Sequence, residues 1–349
     1  MRGPELVVTN FNRNFTGVSA TAAAVVRLQQ QRREMVLAGV ALPGCPPPLS
    51  RRQAVAAARR APTGRPFQIW HVRRNPEMQL ALYVRDILRR PIRIVFTSAA
   101  QRRHSAWPRF LISRMDAVIA TTEEAARHVP NVRAVVPHGV DTTRFHPADD
   151  RAAAWKASGR GGRRAIACIG RIRPEKGTDL FIEAALRVLP AHPDVTALVI
   201  GRATAGHRAF LAALRARVAE AGLAGRVLFP GEIPPEELPA LLRGLTALVA
   251  LPRYEGYGMT PLEAMASGVP VIASDTGHFR AFLGSAEAGF IVPPEDPAEA
   301  ARWLSALLEE PALVEEIGRN GVARVRARFG IEREVAGIDA VYEDIWAEG

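Results

Sequence analysis

The chain has 349 residues, 48% of them hydrophobic, and a formal net charge of +11. This length favours two domains, and the hydrophobic content excludes a disordered chain. The sequence has no run of about 18 apolar residues, and the apolar stretch after the N-terminus is too short for a signal peptide. Two distant cysteines, Cys45 and Cys168, argue against a zinc site or a disulfide scaffold and fit a reducing compartment. We therefore expect a cytoplasmic protein.

The positive charge is concentrated in the first third of the chain. Residues 1–110 contain 19 arginines and four acidic residues, a net charge of +15, whereas the remainder carries −4. This asymmetry predicts an anionic partner for the first part, such as a glycolipid acceptor or a membrane surface. The alternative is a solvated basic face in a chain that favours arginine, since only Lys156 and Lys176 are lysines. Nucleic acid is disfavoured because the basic segments lack interleaved aromatic residues or a known reader module.

Short apolar runs alternate with helical patterns along the first half of the chain. This alternation predicts an α/β fold with a parallel sheet and helices on both faces. The predicted strands are 5–9, 34–40, 67–72, 92–97, 117–120 and 133–136, and the predicted helices are 19–33, 51–60, 76–89 and 123–128.

The same alternation restarts after residue 160. The predicted strands are 164–169, 195–200, 226–229, 246–250, 269–273 and 289–292, and the predicted helices are 178–189, 206–221, 235–243, 260–267, 298–309, 311–328 and 331–347. The charged, glycine-rich segment 148–164 is interpreted as a linker. Two doubly wound halves predict a ligand-binding cleft at the carboxyl ends of their strands.

The loop at 170–178 has the sequence GRIRPEKGT and lies between a predicted strand and a predicted helix. Free backbone N–H groups at such a junction favour phosphate, and Arg171 and Lys176 add two positive charges. The string is neither a Walker loop nor a GxGxxG dinucleotide fingerprint. The alternative is a surface loop with two solvated cations.

A second motif lies at 252–273 and contains two glutamates eight residues apart, Glu255 and Glu263. Glu255 is expected in a glycine-rich loop after a strand, and Glu263 in the first turn of the next helix. Both carboxylates could then hydrogen-bond to sugar hydroxyls. Each glutamate alone would more simply be a helix-dipole partner or a solvated loop residue.

Four motifs together resemble retaining glycosyltransferases of family 4. The string at 255–258 (EGYG) with 261–271 (PLEAMASGVPV) resembles the family's paired-glutamate signature, with Tyr257 in place of phenylalanine. The loop at 170–177 resembles its diphosphate motif, 137–145 (PHGVDTTRF) resembles its PNGVDxxxF segment, and 228–232 resembles the turn beside the nucleotide base. In the first half, 14–19 and 97–105 resemble bacterial mannosyltransferases of the lipopolysaccharide core.

The resemblance implies a GT-B fold of two Rossmann-like domains. We expect an acceptor-binding domain at 1–155, a nucleotide-sugar-binding domain at 156–330, and a C-terminal helix at 331–349 that packs on the first domain. The implied catalytic residues are Arg171, Lys176 and Glu255. The implied donor-binding residues are Gly170, Gly231, Gly258, Met259, Thr260 and Glu263, and the implied acceptor and phosphate loop includes Thr16, Gly17 and His104.

The chain departs from the family pattern in two places. The histidine that many members carry after the fourth strand is missing at 96–99, where only His104 follows nearby. The family's acidic residue after the Ala-Ser-Asp turn is also missing, since 277–281 has the sequence GHFRA. His71, at the end of an apolar strand, is more simply a structural histidine.

The implied reaction is transfer of a hexose from a nucleotide diphosphate sugar to an anionic glycolipid or polysaccharide, with GDP-mannose as the first candidate donor and lipopolysaccharide core as the first candidate acceptor. No Asp-x-Asp motif is present to bridge a metal ion and a diphosphate, so we expect neither metal nor other cofactor. Peripheral contact with the inner membrane is also expected. The alternatives are a non-catalytic nucleotide-sugar-binding protein and another GT-B enzyme, such as a sugar phosphorylase or an epimerase.

Overall fold

The computed structural model describes residues 3–285 and 287–349. The chain forms two compact units, one of residues up to Gly139 with Phe329–Gly349 and the other of Val140–Arg328. The division therefore lies before the predicted domain boundary at 155/156. Interpretation of 148–164 as a linker is wrong, because this segment contains helix α6 (Arg151–Ala157), whose Trp155 is 2% exposed and packs beside Gly244 of the second unit.

The first unit contains a six-stranded parallel sheet with the strand order β2-β1-β3-β4-β5-β6. Its strands are almost continuously apolar because both faces of the sheet are covered by helices. The strands are β1 (Leu6–Asn10), β2 (Met35–Gly39), β3 (Gln68–Val72), β4 (Ile92–Ser98), β5 (Ala117–Ala120) and β6 (Val132–Val135). The helices are α1 (Gly17–Gln29), α2 (Arg51–Ala57), α3 (Asn75–Leu82), α4 (Ala106–Ser113), α5 (Glu123–Ala126) and α14 (Ile331–Ala347).

Alternate residues of each strand in this sheet face two different cores. Ile69 of β3 packs with α1 and α14, and the neighbouring Trp70 packs with α2, α3 and α4. Helix α14 places Ile338, Tyr342 and Trp346 on one side, as expected of apolar residues spaced four apart. The Trp346 indole donates a hydrogen bond of 3.0 Å to the carbonyl of Phe67, so the chain's last helix is part of the first unit.

The second unit contains another six-stranded parallel sheet, with the order β12-β11-β10-β7-β8-β9. The strands are β7 (Arg164–Ile169), β8 (Val195–Ile200), β9 (Val227–Gly231), β10 (Ala247–Ala250), β11 (Val271–Ser274) and β12 (Gly289–Val292). Besides α6, the helices are α7 (Thr178–Val188), α8 (Arg208–Glu220), α9 (Leu238–Arg243), α10 (Met259–Ala266), α11 (Phe279–Leu283), α12 (Pro297–Glu309) and α13 (Pro311–Arg328).

Each sheet has one point where the direction of its strand order reverses. In the first unit this switch point lies between β1 and β3, and in the second unit between β7 and β10. Open parallel sheets bind ligands beside the carboxyl ends of the strands at such points. The loops that follow these four strands are therefore the first places to look for functional side chains.

The predicted α/β class is confirmed, and a strand lies at or within two residues of every predicted strand position. Helices α4, α6 and α11 were not predicted, and the predicted helix 76–89 is two segments, α3 and a π-helical turn at Tyr83–Ile87. Within the described residues, no helix has the length and apolar character needed to cross a membrane.

Candidate active site

The loop after β7 approaches the loop after β10 closely at Gly177. This glycine has φ +64°, and a Cβ there would overlap the carbonyl oxygen of Leu251. Only glycine accommodates both the left-handed backbone and the contact. The two loops at this switch point are therefore neighbours, as expected if both sequence motifs contribute to one binding site.

Arg253 joins these two loops through hydrogen bonds. Its guanidinium donates to both carboxylate oxygens of Asp179, at 2.9 and 2.8 Å, and to the carbonyl of Pro174 at 2.5 Å. Its backbone N–H donates to the carbonyl of Glu175 at 3.0 Å. The hydrogen bonds to Asp179 raise the pKa of Arg253. A bidentate arginine–carboxylate pair fixes geometry as well as charge, so Arg253 orients the loop that contains Lys176.

Lys176 and Glu255 form an ion pair between the two loops. The Lys176 Nζ lies 2.6 Å from Glu255 Oε2, and the two side chains are 21% and 18% exposed. The other carboxylate oxygen of Glu255 accepts a hydrogen bond from the N–H of Gly256 at 3.0 Å. Two residues predicted separately to contact the donor are therefore brought into direct contact, and both remain accessible.

Two glycines allow the Glu255 loop to pack tightly. At Gly258, with φ +82°, a Cβ would lie 2.5 Å from a ring carbon of Phe279 and 2.9 Å from Glu255 Cγ. At Gly277, with φ +57°, a Cβ would lie 2.9 Å from the carbonyl oxygen of Glu255. The side chain of Glu255 is thus held from both sides by positions that tolerate only glycine.

The segment that lacks the expected acidic residue forms an aromatic cluster instead. The His278 ring stacks on Tyr257 at 5.6 Å and meets Phe282 edge-on at 5.3 Å. Burial lowers the pKa of His278, which favours the neutral ring in this cluster. The neighbouring Arg280 donates to the carboxylate of Asp275 at 2.5 and 3.1 Å. The tyrosine at 257 therefore has a packing partner in His278.

Helix α10 begins at Met259, with Gly258 as a cap that offers no side-chain hydrogen bond. The first N–H groups of the helix, including that of Thr260, are at its positive end. The expectation that Glu263 lies in the first turn is wrong, because the helix starts early enough to place it in the second. Burial raises the pKa of Glu263 to about 7, and the positive charge of Arg144 opposes this rise.

The remaining predicted donor residues lie at the same edge of this sheet. Gly170 follows β7 with an extended backbone, and Arg171 next to it is exposed. Gly231 ends β9 with φ +84°, and its carbonyl accepts a hydrogen bond from Gly201 at 2.8 Å. Within residues 3–285 and 287–349, no group of three or more His, Cys, Asp or Glu side chains is arranged to hold a metal ion.

The predicted acceptor loop lies at the switch point of the other sheet. Thr16 precedes α1, and Arg74 donates to its hydroxyl at 3.3 Å and to that of Ser19 at 2.9 Å. Arg74 is itself held by the buried carboxylate of Glu77 at 3.0 Å. Gly17 begins the helix, and a Cβ there would meet nothing within 4 Å. Packing therefore does not require glycine at position 17.

His104 and His71 differ in their surroundings. His104 is half-buried, and within the part of the chain that the structure describes its Nε2 has no hydrogen-bond partner. Burial, with Arg102 and His128, lowers its pKa. His71 is fully buried between the hydroxyls of Tyr342 at 2.5 Å and Thr97 at 2.6 Å. Both ring nitrogens of His71 are thus bonded to protein hydroxyls, and its structural role stays a prediction.

Sequence comparison decides the family. Residues 150–324 match the model of glycosyl transferases group 1. Over 349 residues the chain is 42% identical to the lipopolysaccharide core biosynthesis mannosyltransferase LpsB of Rhizobium meliloti strain 1021, covering 99% of each chain. The chain belongs to the glycosyl transferases group 1 family. The predicted recognition as a glycosyltransferase, and as an enzyme, is confirmed.

Two further proteins resemble this group 1 glycosyltransferase along nearly its whole length. It is 40% identical to the lipopolysaccharide core biosynthesis mannosyltransferase LpcC of Rhizobium leguminosarum bv. viciae, over 99% of this chain and 97% of that one. The crystal structure of Anabaena HepE in complex with UDP and glucose is similar with a TM-score of 0.82 and 16% identity, covering 97% of this chain and 99% of that one. The predicted GT-B fold is confirmed by this structural likeness.

Sequence inspection of this glycosyltransferase missed three charged residues that organise its loops. Arg253 lay inside the quoted motif but had no assigned role, and Arg74 with Glu77 lay outside every motif. The only available signal was position, because Arg74 is the second residue after a predicted strand and Glu77 lies in the first turn of the next helix.

Proposed function

We propose that this glycosyltransferase transfers mannose from GDP-mannose to an acceptor of the lipopolysaccharide core, with retention of anomeric configuration and without a metal ion. The observation that carries this proposal is the 42% identity to the R. meliloti mannosyltransferase over 99% of both chains. The similarity includes the first unit as well as the family-matching segment. A shared donor and acceptor class is the simplest account of similarity over the entire length.

The ion pair of Lys176 and Glu255 supports specific roles for both residues. An ammonium group has three N–H donors, and Glu255 accepts only one of them. The two remaining donors are available to a diphosphate oxygen. A carboxylate has about four acceptor sites, so Glu255 can also bind hydroxyls of the transferred sugar. We assign Lys176 to the diphosphate and Glu255 to the sugar, which would then be adjacent.

Departure of the nucleotide places negative charge on the diphosphate, and fixed positive groups stabilise that charge in the transition state. We assign this work to Lys176, to Arg171, and to the backbone N–H groups at Gly258, Met259 and Thr260. Gly170 and Gly231 would let the nucleotide approach the backbone, and Glu263 would bind the ribose hydroxyls. Because these cations belong to the protein, the mechanism requires no metal ion.

Retention is proposed to occur by attack on the face that the diphosphate leaves. The bond between the anomeric carbon and the β-phosphate oxygen breaks, and the acceptor oxygen forms its bond on the same side. The acceptor's hydroxyl proton passes to the departing phosphate oxygen. This route requires no carboxylate nucleophile on the opposite face, unlike a double-displacement mechanism. On the acceptor side we assign Thr16, Gly17 and His104.

Membrane contact is a further part of the proposal, made through the first unit. Arg33 is unsuitable for this role because it is 11% exposed and paired with Asp339 and Glu343. The exposed candidates are Arg32, Arg51, Arg52, Arg59 and Arg60. Each arginine beside an anionic leaflet contributes about 1 kcal/mol. Neutralising Arg51, Arg52, Arg59 and Arg60 together should abolish most binding to anionic vesicles, and unchanged binding would remove this part of the proposal.

The deciding experiment is a donor panel in EDTA with a deep-rough lipopolysaccharide acceptor. GDP-mannose, UDP-glucose, UDP-N-acetylglucosamine and ADP-glucose are compared, and the anomeric configuration of the product is determined by NMR. We expect transfer from GDP-mannose alone, with the configuration of the donor preserved. Transfer only from another nucleotide sugar, loss of transfer in EDTA, or inversion would each contradict the corresponding part of the proposal.

A further inference from the structure

A buried arginine, Arg73, lies at the switch point of the first sheet. Arg73 follows β3 directly and is 8% exposed. Within residues 3–285 and 287–349, neither Nε nor Nη1 of its guanidinium has a hydrogen-bond partner, and both atoms are buried. Buried polar groups in folded proteins are nearly always hydrogen-bonded, so such a guanidinium requires an explanation.

The carboxylates near Arg73 are already paired with other groups. Glu77 accepts from Arg74 at 3.0 Å, and Glu334 accepts from His138 at 2.6 Å. Glu77 also accepts from the hydroxyl of Thr9 and from the backbone N–H groups of Phe11 and Arg73, and Glu334 from the N–H of Gly139. Burial lowers the pKa of Arg73, and these two carboxylates oppose that shift without a direct contact. Among the described residues, no carboxylate therefore contacts the Arg73 guanidinium directly.

The hydroxyl of Thr121 is a second buried donor, and it lies after a strand of the same sheet. Side chains alternate along a strand, and Ile69, Val95 and Ile119 all face the core that includes α14. Arg73 and Thr121 each lie directly after the end of a strand, at positions that continue this alternation, and β4 lies between their two strands. Thr121 is fully buried, and no described residue hydrogen-bonds to its Oγ1. Two kinds of donor thus lie on one face at the carboxyl edge of the sheet.

We propose that Arg73, assisted by the hydroxyl of Thr121, binds an oxyanion of the acceptor, either a carboxylate or a phosphate. Arginine remains protonated in proteins and offers several N–H donors in a plane, which suits both kinds of oxyanion. Arg73 follows β3, one of the two strands at the switch point, where open parallel sheets bind ligands. This inference rests on the proposed function, because it names the part of the anionic acceptor that the first unit recognises.

The test compares Arg73→Gln and Arg73→Lys with a matched control, Arg127→Gln, which removes the same charge from a side chain that is 73% exposed. Transfer kinetics are measured against acceptor and donor separately, with donor hydrolysis in the absence of acceptor as a third readout. For Arg73→Gln we expect the KM for acceptor to rise about tenfold or more, as for loss of a charged hydrogen bond. The KM for donor and the rate of donor hydrolysis should be unchanged in Arg73→Gln, and all three quantities should be unchanged in the control variant. The KM for acceptor of Arg73→Lys should lie between those of the wild type and Arg73→Gln.

Two modified acceptors distinguish the source of the oxyanion. One is dephosphorylated, and the other has its carboxyl groups reduced to alcohols. The modification that removes the contacted group should raise the wild type's KM for acceptor to the value of Arg73→Gln. The same modification should not change the KM for acceptor of Arg73→Gln itself. If Arg73→Gln raises the KM by the same factor on both modified acceptors and on the unmodified one, oxyanion binding is overturned.

A binding measurement without acceptor separates this inference from the proposed function. Inorganic phosphate and acetate are added at constant ionic strength to the Lys176→Ala variant, which weakens the proposed donor site, and the melting temperature is recorded. We expect at least one anion to stabilise this protein, and adding Arg73→Gln should remove the effect. If the anions shift the melting temperature equally with and without Arg73→Gln, Arg73 does not bind them and is structural. A rise in the KM for acceptor that is accompanied by equal losses of stability and donor hydrolysis would lead to the same conclusion. If the wild type transfers no sugar, the proposed function fails while this measurement still decides the role of Arg73.

Discussion

The two switch points of this glycosyltransferase use charged residues in different ways. In the second unit, ion pairs join two loops, Lys176 with Glu255 and Arg253 with Asp179. In the first unit, Glu77 pairs with Arg74, three residues before it. Glu334 of the last helix pairs with His138, 196 residues away. The first arrangement leaves charged atoms accessible at a loop junction, whereas the second buries them.

The paired side chains of the two units also differ in their exposure to solvent. Lys176 and Glu255 are about one-fifth exposed, while Glu77 and Glu334 are 0% and 2% exposed. An accessible pair can exchange its partners for those of a ligand at small cost, but a buried pair that loses one partner leaves an uncompensated charge. We infer that the second unit's pair binds substrate and the first unit's pairs hold loops in place.

The largest effect on stability is expected from Glu77→Gln. The neutral side chain keeps the size of glutamate but leaves Arg74 unpaired and accepts fewer of the four hydrogen bonds made to Glu77. We expect the free energy of unfolding of the first unit to fall by about 3–5 kcal/mol. Urea denaturation of Glu77→Gln and of the exposed control Glu34→Gln tests this, and equal midpoints would contradict the structural role.

The next prediction compares Gly177 of the diphosphate motif with Gly17 of the predicted acceptor loop. Gly177→Ala places a Cβ against the carbonyl of Leu251 at φ +64°, whereas Gly17→Ala meets open space. We expect Gly177→Ala to destabilise by about 1–3 kcal/mol and to reduce donor affinity by moving Lys176. Gly17→Ala should change stability by less than about 1 kcal/mol. Thermal unfolding with and without donor measures both, and equal effects would remove the distinction between the two loops.

A smaller, pH-dependent effect is expected at Glu263. Burial raises its pKa to about 7 from the ordinary 4.5, so the folded state binds this proton more tightly than the unfolded state. The resulting loss of stability is absent below about pH 4.5 and grows as the pH rises to about 7. Glu263→Gln should therefore become more stable than the wild type over this range, by about 2–3 kcal/mol at most. The exposed control Glu309→Gln should show no such trend, and a pH-independent difference at Glu263 would contradict the assigned burial.

The strands and the positions of the two motif loops could be predicted because their signals are local. Each strand is a short apolar run, and Lys176, Glu255 and Glu263 lie in contiguous strings that resemble a family. Helix α6 was missed because its seven residues are mostly alanine and charged residues, and only the packing of Trp155 makes it part of a core.

The first unit's buried charges could not be predicted for a different reason. Nothing in the sequence joins His138 to Glu334, which lies 196 residues later on a helix. Arg73 and Arg74 are adjacent in sequence, yet Arg74 has four hydrogen-bonded partners and the guanidinium of Arg73 has none among the described residues. Only the three-dimensional arrangement distinguishes two neighbouring arginines of this kind.

The central claim is that the loop junction of Lys176 and Glu255 binds the donor diphosphate and promotes its departure. The chain's two lysines provide a matched test, because Lys156 is exposed on α6 and has no role in this mechanism. The measurement is the rate of mannosyl transfer from GDP-mannose in EDTA by Lys176→Ala and by Lys156→Ala. We predict a loss of about 10²–10³-fold for Lys176→Ala, as for removal of one transition-state donor, and wild-type activity for Lys156→Ala. Near wild-type transfer by Lys176→Ala would contradict the account.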